Sequence, residues 1–429
     1  MDTICAIATA PGGAIGIIRL SGPQAIPIIQ QICRRITATT PPRTAVLTPI
    51  LDDGDVIDEA LVTLFPAPNS YTGEDSAELS CHGSRYILNK VLEVLVRHGA
   101  RLAEPGEFTQ RAFLNAKLDL SQAEAVADLI AADSAAAHRI ALSQLRGHFS
   151  SQLSQLRDQL LHLTSLLELE LDFSDHEELQ FADRSQLLSL AQTIDSKIQH
   201  LAGTFQAGNA LKQGIPVAII GAPNVGKSTL LNALLGEERA IVSDIQGTTR
   251  DAIEDTIQLS GITFRFIDTA GIRHTDDQIE RLGIDRSLKA AENARIIILM
   301  RDDEHDYPEL PACQAHNQQP IIIRIKNKSE TFQAKYGVGL DELRQQLVAA
   351  APDTSGEDVI VTSTRHYQAL LRAHNSLERV IQGLTSDLPS DLIAEDLRLT
   401  LAHLADITGG AITPQETLQN IFSHFCVGK

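Results

Sequence analysis

The chain has 429 residues, of which 43% are hydrophobic, and its formal net charge at pH 7 is −19. A chain of this length can form roughly two to four domains, each with its own core. The acidic balance argues against nucleic-acid binding through a broad electrostatic surface, although it is compatible with a local basic patch. No stretch approaches the roughly 18 uncharged apolar residues of a membrane span, so no membrane partner is expected.

The N-terminus and the cysteines indicate a cytoplasmic protein. Asp2 stands where a signal peptide carries basic residues, and Pro11 and three glycines interrupt the apolar residues 4–20. The five cysteines are odd in number and lack C-x-x-C spacing, which favours reduced thiols in a cytosol. The adjacent pair Cys81 and His82 is too little to predict a zinc site.

Residues 1–115 alternate short apolar runs with turn signals, which predicts a small α/β domain. Strands are expected at residues 15–20, 60–65 and 77–81, and a helix at residues 87–96. From residue 116 to residue 211 the pattern is helical, and one helix carries an apolar stripe that indicates intramolecular packing. The stripe consists of Leu153, Leu156, Leu160, Leu163 and Leu167.

Residues 212–350 alternate strands and helices, as a parallel, doubly wound nucleotide-binding domain does. The candidate core strands are residues 217–220, 263–267, 296–300 and 321–325. Helical patterning resumes near residue 365, so residues 351–429 are expected to complete the helical domain. The sequence therefore predicts a multidomain α/β plus α protein, with the nucleotide-binding domain inserted into a split helical domain.

One motif identifies the nucleotide site: residues 221–228 read Gly-Ala-Pro-Asn-Val-Gly-Lys-Ser and fit the phosphate-binding pattern G-x-x-x-x-G-K-[ST]. They follow a buried strand and open into a helix, which is the context that this pattern requires. Backbone amides and the helix N-terminus would wrap the phosphates, Lys227 would reach the terminal phosphates, and Ser228 could ligate Mg²⁺. The alternative is a glycine-rich turn with an incidental lysine, which the downstream motifs disfavour.

Three downstream motifs follow in the order of a GTPase. Residues 268–271 read Asp-Thr-Ala-Gly, which is typical where a carboxylate meets Mg²⁺ through water and a glycine amide approaches the γ-phosphate. Thr249 lies between the phosphate-binding motif and residues 268–271. It could add a hydroxyl ligand to Mg²⁺ in a switch loop. Asn327, Lys328 and Glu330 follow a strand where the guanine-binding N-K-x-D normally stands. This order favours a GTPase over an ATPase or a kinase.

The residue after the Asp-Thr-Ala-Gly motif is Ile272, whereas Ras-like enzymes have a glutamine there that orients the attacking water. An apolar side chain cannot align water. Catalysis must therefore take that group, and a compensating positive charge, from elsewhere. The alternative is a chain that binds nucleotide as a sensor and hydrolyses it weakly or not at all.

With these motifs and this domain order, the chain resembles the bacterial MnmE-type (TrmE) tRNA-modification GTPases over essentially its whole length. Matching segments outside the nucleotide-binding domain include residues 14–22, Tyr-Thr-Gly-Glu-Asp at 71–75, Cys-His-Gly at 81–83, residues 105–109 and 111–115, and Phe-Cys-Val-Gly-Lys at 425–429. The resemblance implies a Ras-like GTPase domain, a homodimer through the N-terminal domain, and an FAD-dependent partner protein of the MnmG (GidA) type. Together they would modify C5 of the wobble uridine in certain tRNAs.

The resemblance also implies that the N-terminal domain binds 5-formyl- or methylene-tetrahydrofolate as a one-carbon donor. By motif position, Arg19, Glu78, Lys117 and Lys429 would line this site. The chemistry is compatible, because glutamyl carboxylates suit arginine and lysine, and the N–H donors of a pterin edge suit Glu78. The family places a thiol at the position of Cys426 near the pocket; a tail cysteine without chemistry is the alternative.

In the GTPase domain, the resemblance implies K⁺ in place of an arginine finger, with ligands Asn224, Ser243, the backbone carbonyl of Ile245, and Thr248. Pairing of two GTPase domains would order that loop, and Glu280 would orient the water, with Thr249 and Gly271 as the other catalytic residues. The predicted nucleotide-binding residues are Asn224, Val225, Gly226, Lys227, Ser228, Thr229, Ser243, Asp244, Ile245, Gln246, Gly247, Thr248, Thr249, Asp268, Thr269, Ala270, Gly271, Asn327, Lys328 and Glu330.

The chain departs from the family pattern mainly where the base is read. Glu330 replaces the aspartate of N-K-x-D, and residues 333–335, Gln-Ala-Lys, occupy the usual S-A-K position after a much shortened segment. Ser84 also replaces a second glycine after Cys-His-Gly. We therefore expect a preference for GTP over ATP with weakened base affinity. Two other functions stay open: a ribosome-associated RNA-binding GTPase without modification chemistry, and a non-hydrolysing nucleotide-switched scaffold.

Overall fold

The structure is a computed structural model that describes residues 2–10, 12–172, 184–237, 255–267, 291–309, 320–354, 356–386, 388–410, 418, 421–423, 425 and 428. Backbone contacts divide the chain into two compact units. The first unit comprises residues 1–130, 144–191 and 376–429, and the second comprises residues 131–143 and 192–375. The domain bounds given above from the sequence remain predictions.

The described helices number twelve and include long helices in the middle and C-terminal parts of the chain. They are α1 Ala25–Ile32, α2 Arg85–Arg97, α3 Glu107–Leu114, α4 Leu120–Ala131, α5 Ala135–Leu145, α6 His148–Asp172, α7 Arg184–Gly203, α8 Phe205–Gln213, α9 Lys227–Glu237, α10 Leu340–Ala349, α11 Thr364–Thr385 and α12 Ser390–Thr408. Among the described residues, no helix is both long enough and apolar enough to cross a membrane.

The first unit contains a six-stranded sheet in the order β3-β4-β5-β2-β1-β6. Its strands are β1 Ile4–Ile7, β2 Ile15–Ser21, β3 Val46–Asp52, β4 Asp55–Phe65, β5 Ser76–His82 and β6 Arg101–Leu102. Neighbouring strands are antiparallel except β1 and β6, which are parallel. The expected strands and the expected helix in this region are all present, each within a longer element.

Helices α1 and α2 cover one face of this sheet. Their apolar sides share a core with alternate strand residues, since neighbouring side chains of a strand point to opposite faces. In β4, for example, Val62 is fully buried whereas Leu61 is 47% exposed. The alternating pattern that predicted strands here therefore also determines which face packs against the helices.

A buried ionic network fixes the N-terminus against α3. The Arg111 side chain, 5% exposed, donates to the backbone oxygen and the carboxylate of Asp2, to Glu74 and to Glu107, over 2.7–3.1 Å. Arg101 bridges Asp2 and Glu107 from the other side. Hydrogen bonds from Arg101 and Arg111 hold the pKa of Asp2 below its usual range. Each buried charge therefore has a partner of opposite sign, as burial of charge requires.

In the helical part of the first unit, α6 packs along α12. The five leucines of the predicted stripe are each 3% exposed or less, so the intramolecular packing of this face is confirmed. Near the C-terminus, Phe422 and Phe425 pack with Leu120 and the ring of Phe113. These residues near the C-terminus thereby contact α3 and α4, the helices that follow the six-stranded sheet in the chain.

The second unit contains a five-stranded sheet in the order β11-β10-β7-β9-β8. Its strands are β7 Ile215–Gly221, β8 Asp255–Leu259, β9 Ile262–Phe266, β10 Ile296–Arg301 and β11 Ile321–Lys326. All neighbours are parallel except the β8–β9 hairpin at one edge. The mostly parallel, doubly wound sheet is confirmed, and the four predicted core strands are β7, β9, β10 and β11.

The β8–β9 hairpin contacts residues that precede and begin α5. The backbone amide of Ala136 donates to the carbonyl oxygen of Gly261 at 3.0 Å, and the Gln258 side chain donates to the backbone oxygen of Asp133. Ala136 and Ile140 join the core of the sheet. Part of the sequence predicted to be helical domain is therefore packed with the nucleotide-binding sheet.

Candidate nucleotide-binding and folate-binding sites

The phosphate-binding pattern lies between β7, which ends at Gly221, and α9, which begins at Lys227. Asn224 has a φ of 61° and Gly226 a φ of 98°, so the loop makes two left-handed bends. At Gly226 an added Cβ would collide with the side-chain amide nitrogen of Asn327. Glycine is therefore required here both for the backbone angle and for the close approach of Asn327.

Lys227 folds back over this loop. Its Nζ atom donates to the carbonyl oxygens of Gly221 at 2.8 Å and Ala222 at 2.9 Å. Burial lowers the pKa of Lys227. The ammonium group thus lies among the backbone groups that would wrap a phosphate, beside the N-terminus of α9, which favours bound anions. Ser228 is the second residue of that helix.

Asn327 joins three segments of the candidate base site. Its side chain is buried, donates through Nδ2 to the carbonyl oxygen of Val225 at 2.8 Å, and accepts through Oδ1 from the amide of Ala334 at 3.1 Å. Ala334 belongs to the short 3₁₀ turn Ala334–Tyr336, at the position of the S-A-K motif. The shortened segment after Glu330 therefore still brings this turn to Asn327.

Lys328 and Glu330 lie on the same connection. Lys328 has a φ of 59°, and its Nζ atom donates to the carbonyl oxygen of Asn224 at 3.2 Å and to Asp302 at 2.8 Å. Glu330 is exposed. Sequence reasoning did not identify Asp302. Its signal was its place directly after β10, because loops at the carboxyl ends of parallel strands form ligand sites.

The remaining predicted residues of this site lie outside the described residues. They are Ser243, Asp244, Ile245, Gln246, Gly247, Thr248, Thr249, Asp268, Thr269, Ala270, Gly271 and Glu280. Of the proposed ion ligands, the structure describes Ser228 for Mg²⁺ and Asn224 for K⁺. The structure therefore brings together the phosphate loop and the base-reading loop.

A second group of predicted residues lies on the six-stranded sheet. Arg19 of β2 and Glu78 of β5 are cross-strand partners, and Arg19 donates to Glu78 Oε1 through Nε at 3.0 Å and Nη2 at 2.8 Å. Nη1 of Arg19 lies 3.4 Å from the carbonyl oxygen of Gly428, the neighbour of Lys429. The guanidinium also lies 5.5 Å from the ring centre of Tyr71. The C-terminal residues thus reach Arg19.

Lys117 contacts the loop between β4 and β5, which also carries Tyr71. Its Nζ atom donates to the carbonyl oxygen of Pro68 at 3.1 Å. Tyr71, three residues further on, has its hydroxyl 2.8 Å from Thr109 Oγ1, and burial raises its pKa. Tyr71 lies in a matching segment but was not predicted as a site residue. Lys429 and Cys426 lie outside the described residues.

Similarity to known proteins extends over the whole chain. The family models "GTP-binding protein TrmE N-terminus" and "MnmE helical domain" match residues 3–117 and 120–426, respectively. The tRNA modification GTPase MnmE of Bacteroides fragilis is 51% identical over 465 residues, covering 100% of this chain and 99% of that protein. The protein of the same name from Parabacteroides distasonis is 51% identical over 466 residues and covers 100% of both.

A more distant relative has the same name: the Porphyromonas gingivalis protein is 45% identical over 469 residues, covering 100% of this chain and 98% of that protein. Among solved structures, a crystal structure of a point variant of Aquifex aeolicus Era bound to GDP·AlF₄⁻ matches at 25% identity with a TM-score of 0.24, over 37% of this chain and 65% of that one. That TM-score is too low to support an argument about the fold.

Proposed function

Since this chain belongs to the MnmE family of tRNA-modification GTPases, we propose that it couples GTP hydrolysis to modification of C5 of the wobble uridine in certain tRNAs. It is a GTP hydrolase that acts in tRNA modification, with GTP and Mg²⁺ as its requirements. The observation that carries the proposal is the assembled nucleotide site. Asn327 and Lys328 hydrogen-bond to the carbonyl oxygens of Val225 and Asn224 in the phosphate loop, so the residues proposed to recognise base and phosphate lie together.

Two ions would act at this site. Ser228 and Thr249 would hold Mg²⁺, while Asn224, Ser243, the backbone carbonyl of Ile245, and Thr248 would hold K⁺. The described part of the loop fits, because Asn224 is exposed and its side-chain amide has no hydrogen-bond partner within the described ranges, so its oxygen is available as a ligand. Bound cations neutralise charge that develops on the phosphates during hydrolysis. K⁺ would supply the positive charge that other GTPases take from an arginine finger.

Pairing of the GTPase domains of two copies would complete the catalytic site. Ile272 cannot orient water, so we assign that task to Glu280, with Thr249 and Gly271 facing the γ-phosphate. Hydrolysis would then depend on the homodimer and would drive a conformational cycle without contributing atoms to the tRNA. A chain without the usual glutamine could hydrolyse GTP in this way.

The N-terminal domain would supply the one-carbon unit from a tetrahydrofolate bound by Arg19, Glu78, Lys117 and Lys429. Lys117 has no carboxylate partner in the described part of the chain and therefore suits a glutamyl carboxylate of the folate. Arg19 is already paired with Glu78, so these two side chains would act as one polar unit at the pterin edge. Cys426 would stand near this pocket. The FAD-dependent partner of the MnmG type would meet the chain in the cytoplasm.

The proposal is tested by mass spectrometry of tRNA nucleosides from a strain that lacks this gene. Complementation with the wild-type chain and with an Asp306→Asn variant, which alters a fully exposed side chain, should restore C5-modified wobble uridine. A Lys227→Ala variant should not restore it. Unchanged modification in the deletion strain would contradict the proposal.

A further inference from the structure

Asp302 is a buried carboxylate beside the nucleotide site that the proposed function does not use. It follows β10 directly, and its side chain is 3% exposed. The two carboxylate oxygens have different partners. Oδ1 accepts from the backbone amides of Glu304 and His305 at 3.2 and 3.1 Å and lies 2.8 Å from Nδ1 of His305. Oδ2 accepts from Nζ of Lys328 at 2.8 Å.

The hydrogen bonds from Lys328 and His305 hold the pKa of Asp302 below its usual range. The group is therefore a carboxylate at neutral pH and acts only as an acceptor, so His305 must donate through Nδ1–H. Oδ1 stabilises the turn at residues 302–305, whereas the hydrogen-bond partner of Oδ2 within the described residues is Lys328. A substitution that changes Oδ2 and keeps an oxygen at the position of Oδ1 can therefore separate the two roles.

The hydrogen bond to Asp302 restricts the side chain of Lys328. Its side chain is 57% exposed, and a lysine that is free in solvent samples many rotamers. With Asp302 on one side, the same ammonium also donates to the carbonyl oxygen of Asn224 at 3.2 Å. Asn224 is one of the two left-handed residues of the phosphate loop, with a φ of 61°. A continuous path of contacts therefore runs from Asp302 through Lys328 to the loop that would hold phosphate and K⁺.

We infer that Asp302 is a positioning residue of the nucleotide site, which fixes the Lys328 ammonium on the Asn224 carbonyl and thereby joins the base-reading loop to the phosphate loop before nucleotide binds. A site ordered in advance loses less conformational freedom on binding and so binds more tightly. This inference rests on the proposed guanine-nucleotide site. Asp302 lies outside the motifs proposed to read base and phosphate, so the proposed nucleotide site gains one further residue.

The Asp302→Asn variant separates the two roles. The asparagine keeps an oxygen that can accept from the turn amides but replaces Oδ2 by an NH₂ group, which cannot accept from Lys328. We would measure the affinity of the full-length chain for a fluorescent GDP in K⁺ buffer, for wild type, Asp302→Asn, Lys328→Gln and the double variant. The matched control is Asp306→Asn, whose side chain is fully exposed.

Asp302→Asn should weaken GDP binding roughly tenfold, the scale of a lost charge-assisted hydrogen bond. Because Asp302 acts through Lys328, the double variant should bind no more weakly than Lys328→Gln alone. The K⁺ concentration for half-maximal GTP hydrolysis should also rise in Asp302→Asn, since Asn224 would be less well held. Asp306→Asn should match wild type in both measurements.

The inference would be overturned if Asp302→Asn bound GDP with wild-type affinity, or if the losses of GDP affinity in the two single variants multiplied in the double variant. Either result would leave the proposed function intact. Failure of the wild-type chain to bind GDP would instead overturn the proposed function and the inference together. Thermal melting of the nucleotide-free variants checks the fold. If Asp302→Asn does not fold, wild-type GDP affinity in Lys328→Gln would overturn the inference, because Asp302 would then have nothing to position.

Discussion

At the scale of single residues, Glu330 is the departure that matters most for nucleotide choice. It is exposed, whereas the neighbouring Asn327 is buried and held by the phosphate loop and by Ala334. In N-K-x-D sites the aspartate accepts two hydrogen bonds from the guanine N1–H and amine, which rejects adenine. A glutamate presents the same carboxylate one methylene further out, so either its stem must bend or the loop must retract.

Shortening that stem in Glu330→Asp tests this reading. If the loop has not adjusted, the variant should bind GDP more tightly by up to about 1–2 kcal/mol, the scale of a recovered charged hydrogen bond. Calorimetry with GDP and with ADP measures both affinity and preference. Unchanged GDP affinity, combined with a wild-type chain that does not distinguish GDP from ADP, would show that Glu330 does not read the base.

Lys117 provides a residue-scale test of the folate site. Lys117→Ala should weaken binding of 5-formyl-tetrahydrofolate by roughly tenfold or more, because a charge-assisted hydrogen bond to a carboxylate would be lost. Calorimetric titration of the full-length chain measures this. The control is Lys90→Ala, whose ammonium already pairs with Asp52 at 2.9 Å. Equal folate affinity of the Lys117 variant and wild type would remove Lys117 from the site.

Three buried cysteines provide a chemical test of the N-terminal core. Burial raises the pKa of Cys5 to about 11 and the pKa values of Cys33 and Cys81 to about 12. The thiolate is the reactive form, so these residues should resist a thiol reagent at pH 8 in the folded chain and react after unfolding. Peptide mapping by mass spectrometry would locate the labelled residues. Rapid labelling of Cys81 in the native chain would contradict its placement in the core.

At the scale of elements, the ionic network around Arg111 holds α3, the N-terminus and the loop before β5 together. Arg111→Met should destabilise the fold by about 3–5 kcal/mol, because Glu74 would remain buried without its cation and Glu107 would keep only Arg101. Denaturant unfolding measures the loss. Arg97→Met, which removes an exposed pair with Asp52, should destabilise the fold far less, because exposed ion pairs contribute little to stability. Equal losses in the two variants would refute the central role of Arg111.

The same network predicts how stability depends on pH. Burial alone would raise the pKa of Glu107, but hydrogen bonds from Arg101 and Arg111 outweigh it, so the pKa values of both Asp2 and Glu107 are lowered in the folded chain. Their stabilising contribution is therefore complete above the unfolded-state pKa of about 4 and is lost as pH falls below it. Wild type should lose stability more steeply than Arg111→Met between about pH 5 and pH 2 in denaturant titrations. Parallel profiles would contradict this linkage.

The sequence predicted the elements whose periodicity is local. The core strands of the nucleotide-binding sheet and the leucine face of α6 agree with the structure, since spacing alone decides which side is buried. It did not predict the contacts of Asp302 with Lys328 or of Arg111 with Asp2. These pairs are 26 and 109 residues apart, and only the folded chain brings them together. Motif spacing identified Asn327 and Lys328, but it could not reveal what holds them.

At the scale of the whole molecule, each unit has one proposed site: a nucleotide site on the five-stranded sheet of the second unit, and a folate site on the six-stranded sheet of the first. In the proposed mechanism two copies of the chain pair, because Ile272 cannot orient the water, and K⁺ would supply the positive charge. If pairing orders the proposed K⁺ loop, hydrolysis would depend on both the ion and the dimer. Activation by K⁺ is therefore the most direct consequence of the proposed mechanism.

The most direct measurement is the steady-state rate of GTP hydrolysis by the full-length chain in KCl and in NaCl at equal ionic strength, with Glu280→Ala alongside. We predict a high rate in KCl and a low rate in NaCl. Glu280→Ala should lose roughly 10²-fold or more in turnover with nearly unchanged nucleotide binding, as for an interaction made mainly in the transition state. Equal rates of the wild-type chain in the two salts would contradict the account.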